Sequence, residues 1–344
     1  MVLVRREPRM MNIILNRPRA LNSLNLEMVR SIQSALDQAE TDDHCGFVLL
    51  YGVGEKGFCA GGDVKALARA IREKSAMPSD LILKEEYDLV LRFHRFPKPV
   101  IVLADGITMG AGLGLAAASD IAVATERTRM AMPETRIGFF PDVGSTGWMF
   151  AKCPPGYPEY LGLTGYEMKG DETVRVGFAT HLTSLERLPE LKNTLQGYTA
   201  SLPSPRVRAA EKLASTLDPF FVKEITAKPD MDEWVAEYFQ GKDSLVKIIE
   251  SLRQCSIQVR LCDQVFERLA ERSPTALAVT LKLLRHNEHR PLEEVFQADL
   301  TAARFIMNHP DYIEGVRARL EDKDDNPRWQ PETIEAVGDL DLEL

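Results

Sequence analysis

What this sequence lacks narrows it before any motif does. It has no surplus of positive charge: 42 Lys and Arg face 51 Asp and Glu, a formal net charge of −9. Non-specific nucleic-acid binding needs a basic face that displaces counterions, so no nucleic-acid partner is expected. A local basic pocket for a phosphate-bearing ligand is compatible with that balance. No apolar run reaches the roughly 18–20 residues of a membrane-spanning helix, so no membrane partner is expected either. The opening MVLVRREPRMMNIILN is Arg-rich but has no hydrophobic signal core or small-residue cleavage site. It runs straight into a strand-like pattern and does not read as a signal peptide.

Cysteines are few and unpaired in pattern. Five are scattered without CxxC spacing (Cys45, Cys59, Cys153, Cys255, Cys262), which predicts reduced, mostly buried thiols in a reducing compartment. Cys59 sits in a glycine-rich loop, but no histidine motif accompanies it, so a nucleophilic role is not expected. Neither GxSxG nor GxxxxGK[ST] occurs, which lowers the serine-hydrolase and P-loop nucleotide options. Of six histidines, His286 and His289 fall i, i+3 on a predicted helix without a third ligand, so no metal site is predicted. His44, His94, His181 and His309 are isolated and read as structural.

What remains is an ordered chain with a sizeable core: 344 residues, 44 % apolar and 27 % charged. MNIILN (11–16), GFVLLYG (46–52), PVIVLADG (99–106) and DIAVAT (120–125) read as strands bounded by turn residues. Between them, LEMVRSIQSALDQAE places apolar residues at 28, 29, 32, 35 and 36, a helical period. SDLILKEEYDLVLRFHRF (79–96) reads as a second helix. Strands alternating with helices to about residue 185 predict an α/β layer architecture. Beyond residue 204 the patterns are helical, several opening on Pro. The expected organisation is an α/β core over 1–204, a helical portion over 205–329 and a loosely held acidic tail over 330–344.

Three segments could carry chemistry. GEKGFCAGGDVKAL (54–67) runs from a strand into a loop with consecutive glycines, which let bare N–H groups approach a ligand atom. A plain strand-to-helix turn is an equal reading. DGITMGAGLGLAAASD (105–120) places Gly110, Ala111, Gly112 and Gly114 before an alanine-rich helix. A helix opening on such small residues presents unobstructed N–H donors, and it also packs closely on a sheet. It is no dinucleotide fingerprint, because the last glycine of that motif is replaced by Leu115. Finally, AMPETRIGFFPDVG (131–144) holds Glu134 and Asp142, each preceded by a proline that stiffens the backbone. Two acids in a loop are otherwise commonly solvated.

Together, GFCAGGD, ADGITMGAGLGLAAASDIAVAT and MPETRIGFFPDVG resemble, in order, the segments of the crotonase (enoyl-CoA hydratase/isomerase) superfamily. LTGYEMKG, GFATH and EGVRARLEDKDDNPRWQP extend the resemblance almost to the end of the chain, toward the superfamily's hydroxyacyl-CoA thioester hydrolases. The resemblance implies a crotonase-like spiral of ββα units with a C-terminal helical portion. It implies an acyl-CoA substrate, with CoA as part of the substrate and a product, no separate cofactor and no metal. It carries the oxyanion-binding N–H groups onto Gly62 and Ala111, with Gly110 beside the latter, where the family more often has glycine at position 111. It carries catalytic roles onto Glu134 and Asp142, and a ligand-binding role onto Glu86, which composition alone would make a solvated helix acid.

Hydratases of the superfamily use a second glutamate on the glycine-rich helix. Here that position is Gly114. Adding water across a double bond needs two cooperating acid/base groups, so the resemblance implies thioester hydrolysis. The competing readings are an enoyl-CoA hydratase or isomerase and a non-catalytic scaffold subunit of the same fold. The superfamily favours trimers, which leaves a homo-oligomer open. The implied role, in valine degradation, points to the mitochondrial matrix in a eukaryote and the cytoplasm in a bacterium.

Overall fold

A computed structural model describes residues 1–73 and 79–344. The expected strands and helices form for the reasons their patterns give. Ten strands are present among the described residues: β1 (Val2–Arg6), β2 (Met10–Leu15), β3 (Phe47–Gly52), β4 (Gly57–Cys59), β5 (Val100–Leu103), β6 (Ile107–Met109), β7 (Ile121–Ala124), β8 (Arg129–Ala131), β9 (Met168–Lys169) and β10 (His181–Leu182). A six-stranded sheet has the order β1-β2-β3-β5-β7-β10, and a four-stranded sheet the order β4-β6-β8-β9. β1 pairs antiparallel with β2, while β2, β3, β5, β7 and β10 run parallel. The strands therefore come in consecutive couples (β3 then β4, β5 then β6, β7 then β8). The first member joins the large sheet and the second the small one. A helix follows two of these couples, at Val64–Arg72 and Ala111–Ala117. That is a winding ββα pattern.

The parallel strands β2, β5 and β7 are covered on both faces and are apolar except for the buried Asn12 of β2, as such strands should be. All six residues of β2 and all four of β5 and β7 are buried. One face packs Phe47, Leu49, Ile101, Leu103 and Val123 against Leu191, Leu195, Leu213 and Leu217. Helix Leu26–Thr41 buries Met28, Val29, Ile32, Ala35, Leu36 and Ala39, the face its period predicts, and Asn25 caps it by accepting from the Met28 N–H at 2.9 Å.

The chain falls into two compact units, each built from three separated stretches. The first comprises Met1–Asp63, Glu85–Met130 and Met168–Ala227, and contains the strands, β8 up to Met130. The second comprises Val64–Lys84, Ala131–Glu167 and Lys228–Leu344. It is helical, and from Arg206 onward every regular element described is a helix or helical turn.

Three expectations are corrected. Cys255 and Cys262 form a disulfide, whereas Cys45, Cys59 and Cys153 are free. The helices Leu245–Arg253 and Val259–Ala270 reverse direction between the two cysteines and bring their Cα atoms to 6.5 Å, a juxtaposition that spacing alone does not signal. His289 lies past the end of helix Pro274–Asn287, with its side chain 90 % exposed, so it does not share a helical face with His286. The acidic tail is not loose throughout: the turn Ile334–Ala336 contacts helices Leu245–Arg253 and Pro274–Asn287, and Leu342 is buried, because that segment still carries apolar side chains worth removing from water.

Candidate functional site

In the first unit, the turn RPRALNSLN serves as the frame for the glycine-rich loop. Ala60 N–H donates to Leu21 O at 3.0 Å, Leu24 N–H to Gly61 O at 2.8 Å and Asp63 N–H to Leu24 O at 2.8 Å. Arg17 pairs with Asp63 at 2.7 Å. The Asp63 N–H is thereby committed to Leu24, next to the Gly62 N–H that the resemblance assigns to the oxyanion. Gly61 has φ +97°, a value glycine adopts without strain.

The same loop abuts the second glycine-rich segment. A Cβ placed on Gly61 would stand 3.2 Å from Met109 O and 3.6 Å from the Ala111 nitrogen. Ala111 opens helix Ala111–Ala117 behind Gly110, so its N–H has no partner within the helix. Gly112 has no space for a side chain, since a Cβ there would lie 2.3 Å from Cys59 O. Small residues in this helix thus serve close packing as well as open donors. Its seven residues, AGLGLAA, carry no ionisable side chain.

Glu86 is not a solvated helix acid. It is 6 % exposed, and a Cβ on Gly62 would meet its Oε2 at 2.7 Å. The carboxylate therefore stands directly against the backbone of Gly62. Cys59 is fully buried, and burial pushes its thiol up to about 12, which removes it as a nucleophile near neutral pH. The first unit also holds a cleft of about 300 Å³ lined by Tyr51, Phe58, Asp105 and Lys192 among others. Lys192 lies over the Tyr51 ring at 4.2 Å, and burial lowers its pKa. Its lining comes from distant stretches of the chain, and no motif announces it.

In the second unit, Glu134 opens a short 3-10 turn, Glu134–Ile137, behind Pro133. The turn is held from several sides. Ser273 N–H donates to Thr135 O at 3.2 Å, the Thr135 hydroxyl to Leu163 O at 3.2 Å, and Phe139 N–H to Glu134 O at 3.0 Å. Gly138 packs so closely that a Cβ would lie 2.3 Å from Asp311 O. Glu134 itself is half-buried. Asp142, 7 % exposed, lies farther along the same loop, after the stacked rings of Phe139 and Phe140 at 4.6 Å.

One acid near Asp142 escaped the sequence reading. Asp299, on helix Leu292–Met307, is fully buried, and its Oδ2 accepts from the Gly144 N–H at 2.7 Å. Burial, with the charge of Asp142 adding to it, holds the Asp299 carboxyl well above the usual carboxylate range, against the opposing bonds from Gly144 and Thr146. The only sequence signal was an acid on the apolar face of an amphipathic helix. The sign of its effect on stability is definite. The unfolded chain releases this proton near pH 4, at the ordinary aspartate value of about 3.9, while the folded chain keeps it, so folding stability falls as pH rises through that window. Asp299→Asn does not titrate. Its melting temperature relative to wild type is therefore expected to improve from pH 5 to pH 8 in thermal denaturation, and a pH-independent difference would contradict this.

Among the described residues, no three His, Cys, Asp or Glu side chains group so as to hold a metal ion. No helix among them is long and apolar enough to cross a membrane.

The sequence model of the enoyl-CoA hydratase/isomerase family matches residues 10–343. The chain belongs to that family. Two curated relatives span nearly all of it. "3-hydroxyisobutyryl-CoA hydrolase, mitochondrial" from Danio rerio is 37 % identical over 336 residues, covering 95 % of this chain and 84 % of the relative. The protein of the same name from Mus musculus is 38 % identical, covering 96 % and 84 %. Among solved structures, a carnitinyl-CoA dehydratase from Mycobacterium thermoresistibile superposes with a TM-score of 0.87 at 31 % identity, covering 98 % of this chain and 93 % of that one. The fold is the crotonase fold of the enoyl-CoA hydratase/isomerase family, with its helical C-terminal region.

Proposed function

We propose that this family member hydrolyses a short 3-hydroxyacyl-CoA thioester, 3-hydroxyisobutyryl-CoA foremost and 3-hydroxypropionyl-CoA as a secondary substrate, to the free hydroxy acid and CoA. The observation that carries the reading is which acids are present. Glu134 sits in a turn clamped by hydrogen bonds, while helix Ala111–Ala117, with Gly114 where a hydratase has its second glutamate, bears no acid or base. Hydration across a C=C bond needs two proton-transferring groups, whereas thioester cleavage needs a polarised carbonyl and one attacking oxygen.

In this reading, the N–H groups of Gly62 and Ala111 receive the thioester oxygen as it becomes an oxyanion. Glu134 supplies the attack, either with its own carboxylate oxygen, giving a mixed anhydride that water then opens, or by taking the proton of an attacking water. Both routes break the C–S bond and expel CoA as a thiolate, which then takes up a proton. A thiolate leaves readily, so no cofactor is assigned. Glu86, against Gly62, borders the acyl end. Asp142 accepts the substrate's 3-hydroxyl, and it then discriminates by the cost of a buried acceptor left without a donor. For a eukaryotic version the compartment in this reading is the mitochondrion, which the names of the two curated relatives support.

The deciding assay compares thiol release from 3-hydroxyisobutyryl-CoA with hydration of crotonyl-CoA. Fast release and negligible hydration are expected, and the reverse would make this chain an enoyl-CoA hydratase. Asp142→Asn is expected to cut the preference for 3-hydroxyisobutyryl-CoA over isobutyryl-CoA, read as a ratio of kcat/KM, by roughly 10- to 100-fold. An unchanged ratio would remove Asp142 from hydroxyl recognition.

A further inference from the structure

The backbone immediately after Asp142 is strained. Val143 has φ +50° and Gly144 has φ +75°. Glycine takes such a value freely, but a β-branched residue there is an outlier, sustained only when its surroundings over-determine it. Those surroundings can be named. Val143 is completely buried, and its carbonyl accepts from the Trp148 indole N–H at 3.1 Å. Ser145 N–H returns to Asp142 O at 3.0 Å. Helix Leu292–Met307 contributes two contacts from its inner face. The Phe296 ring stands where a Cβ on Gly144 would lie 2.7 Å from it, and Asp299 Oδ2 accepts the Gly144 N–H at 2.7 Å. Behind Asp299, Asn287 donates to the Thr146 hydroxyl at 2.9 Å.

A buried carboxyl is a costly way to satisfy one amide and the Thr146 hydroxyl, and its Oδ1 has no hydrogen-bond partner among the described residues. An apolar residue would pack this helix more cheaply, but it would leave Gly144 N–H unpaired in the strained turn. We propose that Asp299 is a positioning residue that pins the strained Val143–Gly144 turn and so aims the Asp142 carboxylate at the substrate's hydroxyl. This assignment rests on the reading of Asp142 given above, and it makes hydroxyl selectivity a property of helix Leu292–Met307 as well as of the loop. Asp299 touches no substrate and acts only through the turn.

The test is the ratio of kcat/KM for 3-hydroxyisobutyryl-CoA to that for isobutyryl-CoA. This ratio does not depend on the fraction of enzyme that is folded. Asp299→Leu keeps the branched side-chain skeleton, with bulkier methyl groups in place of the oxygens, and removes the acceptor. It is expected to lower the ratio on the order of 10- to 100-fold, the scale of misplacing a group by about 1 Å. Asp299→Asn retains an acceptor and is expected to restore most of it. In an Asp142→Asn background, Asp299→Leu should change the ratio no further, because the group it aims is gone. If Asp299→Leu does not fold, Phe296→Leu loosens the same turn and carries the same two expectations. The proposal is overturned if these variants leave the ratio at the wild-type value, or lower it equally with and without Asp142. An Asp142→Asn enzyme with wild-type selectivity would instead refute the role of Asp142 itself, and the positioning role with it.

Discussion

Replacing Glu134 by alanine is expected to lower kcat for thiol release by about 10²–10⁴-fold, the range for losing a positioned proton-transfer group, while the melting temperature changes little. The physical basis is local. The Glu134 backbone lies in a turn whose neighbours Thr135, Gly138 and Phe139 are bonded or packed on every side. These backbone and neighbour contacts hold the turn, so truncating the half-buried side chain is expected to remove chemistry while the turn persists. Glu134→Gln separates the two attack routes from simple polarity. It preserves shape and hydrogen bonding but can neither attack as a carboxylate nor accept a proton, so it should be as slow as the alanine variant. A Glu134→Gln enzyme within a few-fold of wild type would exclude Glu134 from the bond-making step.

The second large effect concerns a backbone atom. Ala111→Pro should reduce kcat by about 10²–10³-fold, equivalent to roughly 2.7–4 kcal/mol for one oxyanion donor. Proline is well suited to the first position of a helix, because the N–H it lacks has no helical partner there. Ala111 occupies that position behind Gly110, whose φ of +51° and ψ of −127° only glycine adopts freely. The substitution therefore deletes the proposed donor and spares the helix. Ala111→Gly, which keeps the N–H, is the control and should retain catalysis. Circular dichroism and melting temperature establish that the proline variant is folded. A folded Ala111→Pro enzyme with the wild-type rate would show that this N–H does not hold the developing charge.

Much of the fold was legible because one-dimensional periodicity records burial. The apolar runs at 47–52, 100–103 and 121–124 are parallel strands of one sheet, and the 28, 29, 32, 35, 36 spacing is the inner face of a helix. The glycine-rich segments were legible for a different reason. Gly112 stands where backbones approach too closely for a side chain, Gly61 has a φ that side chains rarely adopt, and only glycine records either in sequence.

Other features left no such trace. Glu86 has the composition of a surface acid, and only the packing of its helix turns it toward Gly62. Cys255 and Cys262 pair because two helices reverse between them. Asp299 is 155 residues from the Gly144 amide it accepts from, and neither position signals the other.

From its sequence alone, the protein's class of layers, its glycine-rich donor segments and its two loop acids follow, since each depends on short-range pattern or on residue chemistry. Which acids are buried, which amide each one satisfies, and how a strained valine is kept in place were decided by tertiary packing. Those depend on contacts between stretches far apart in the chain, where the free energy of burial is settled by neighbours that no local window contains.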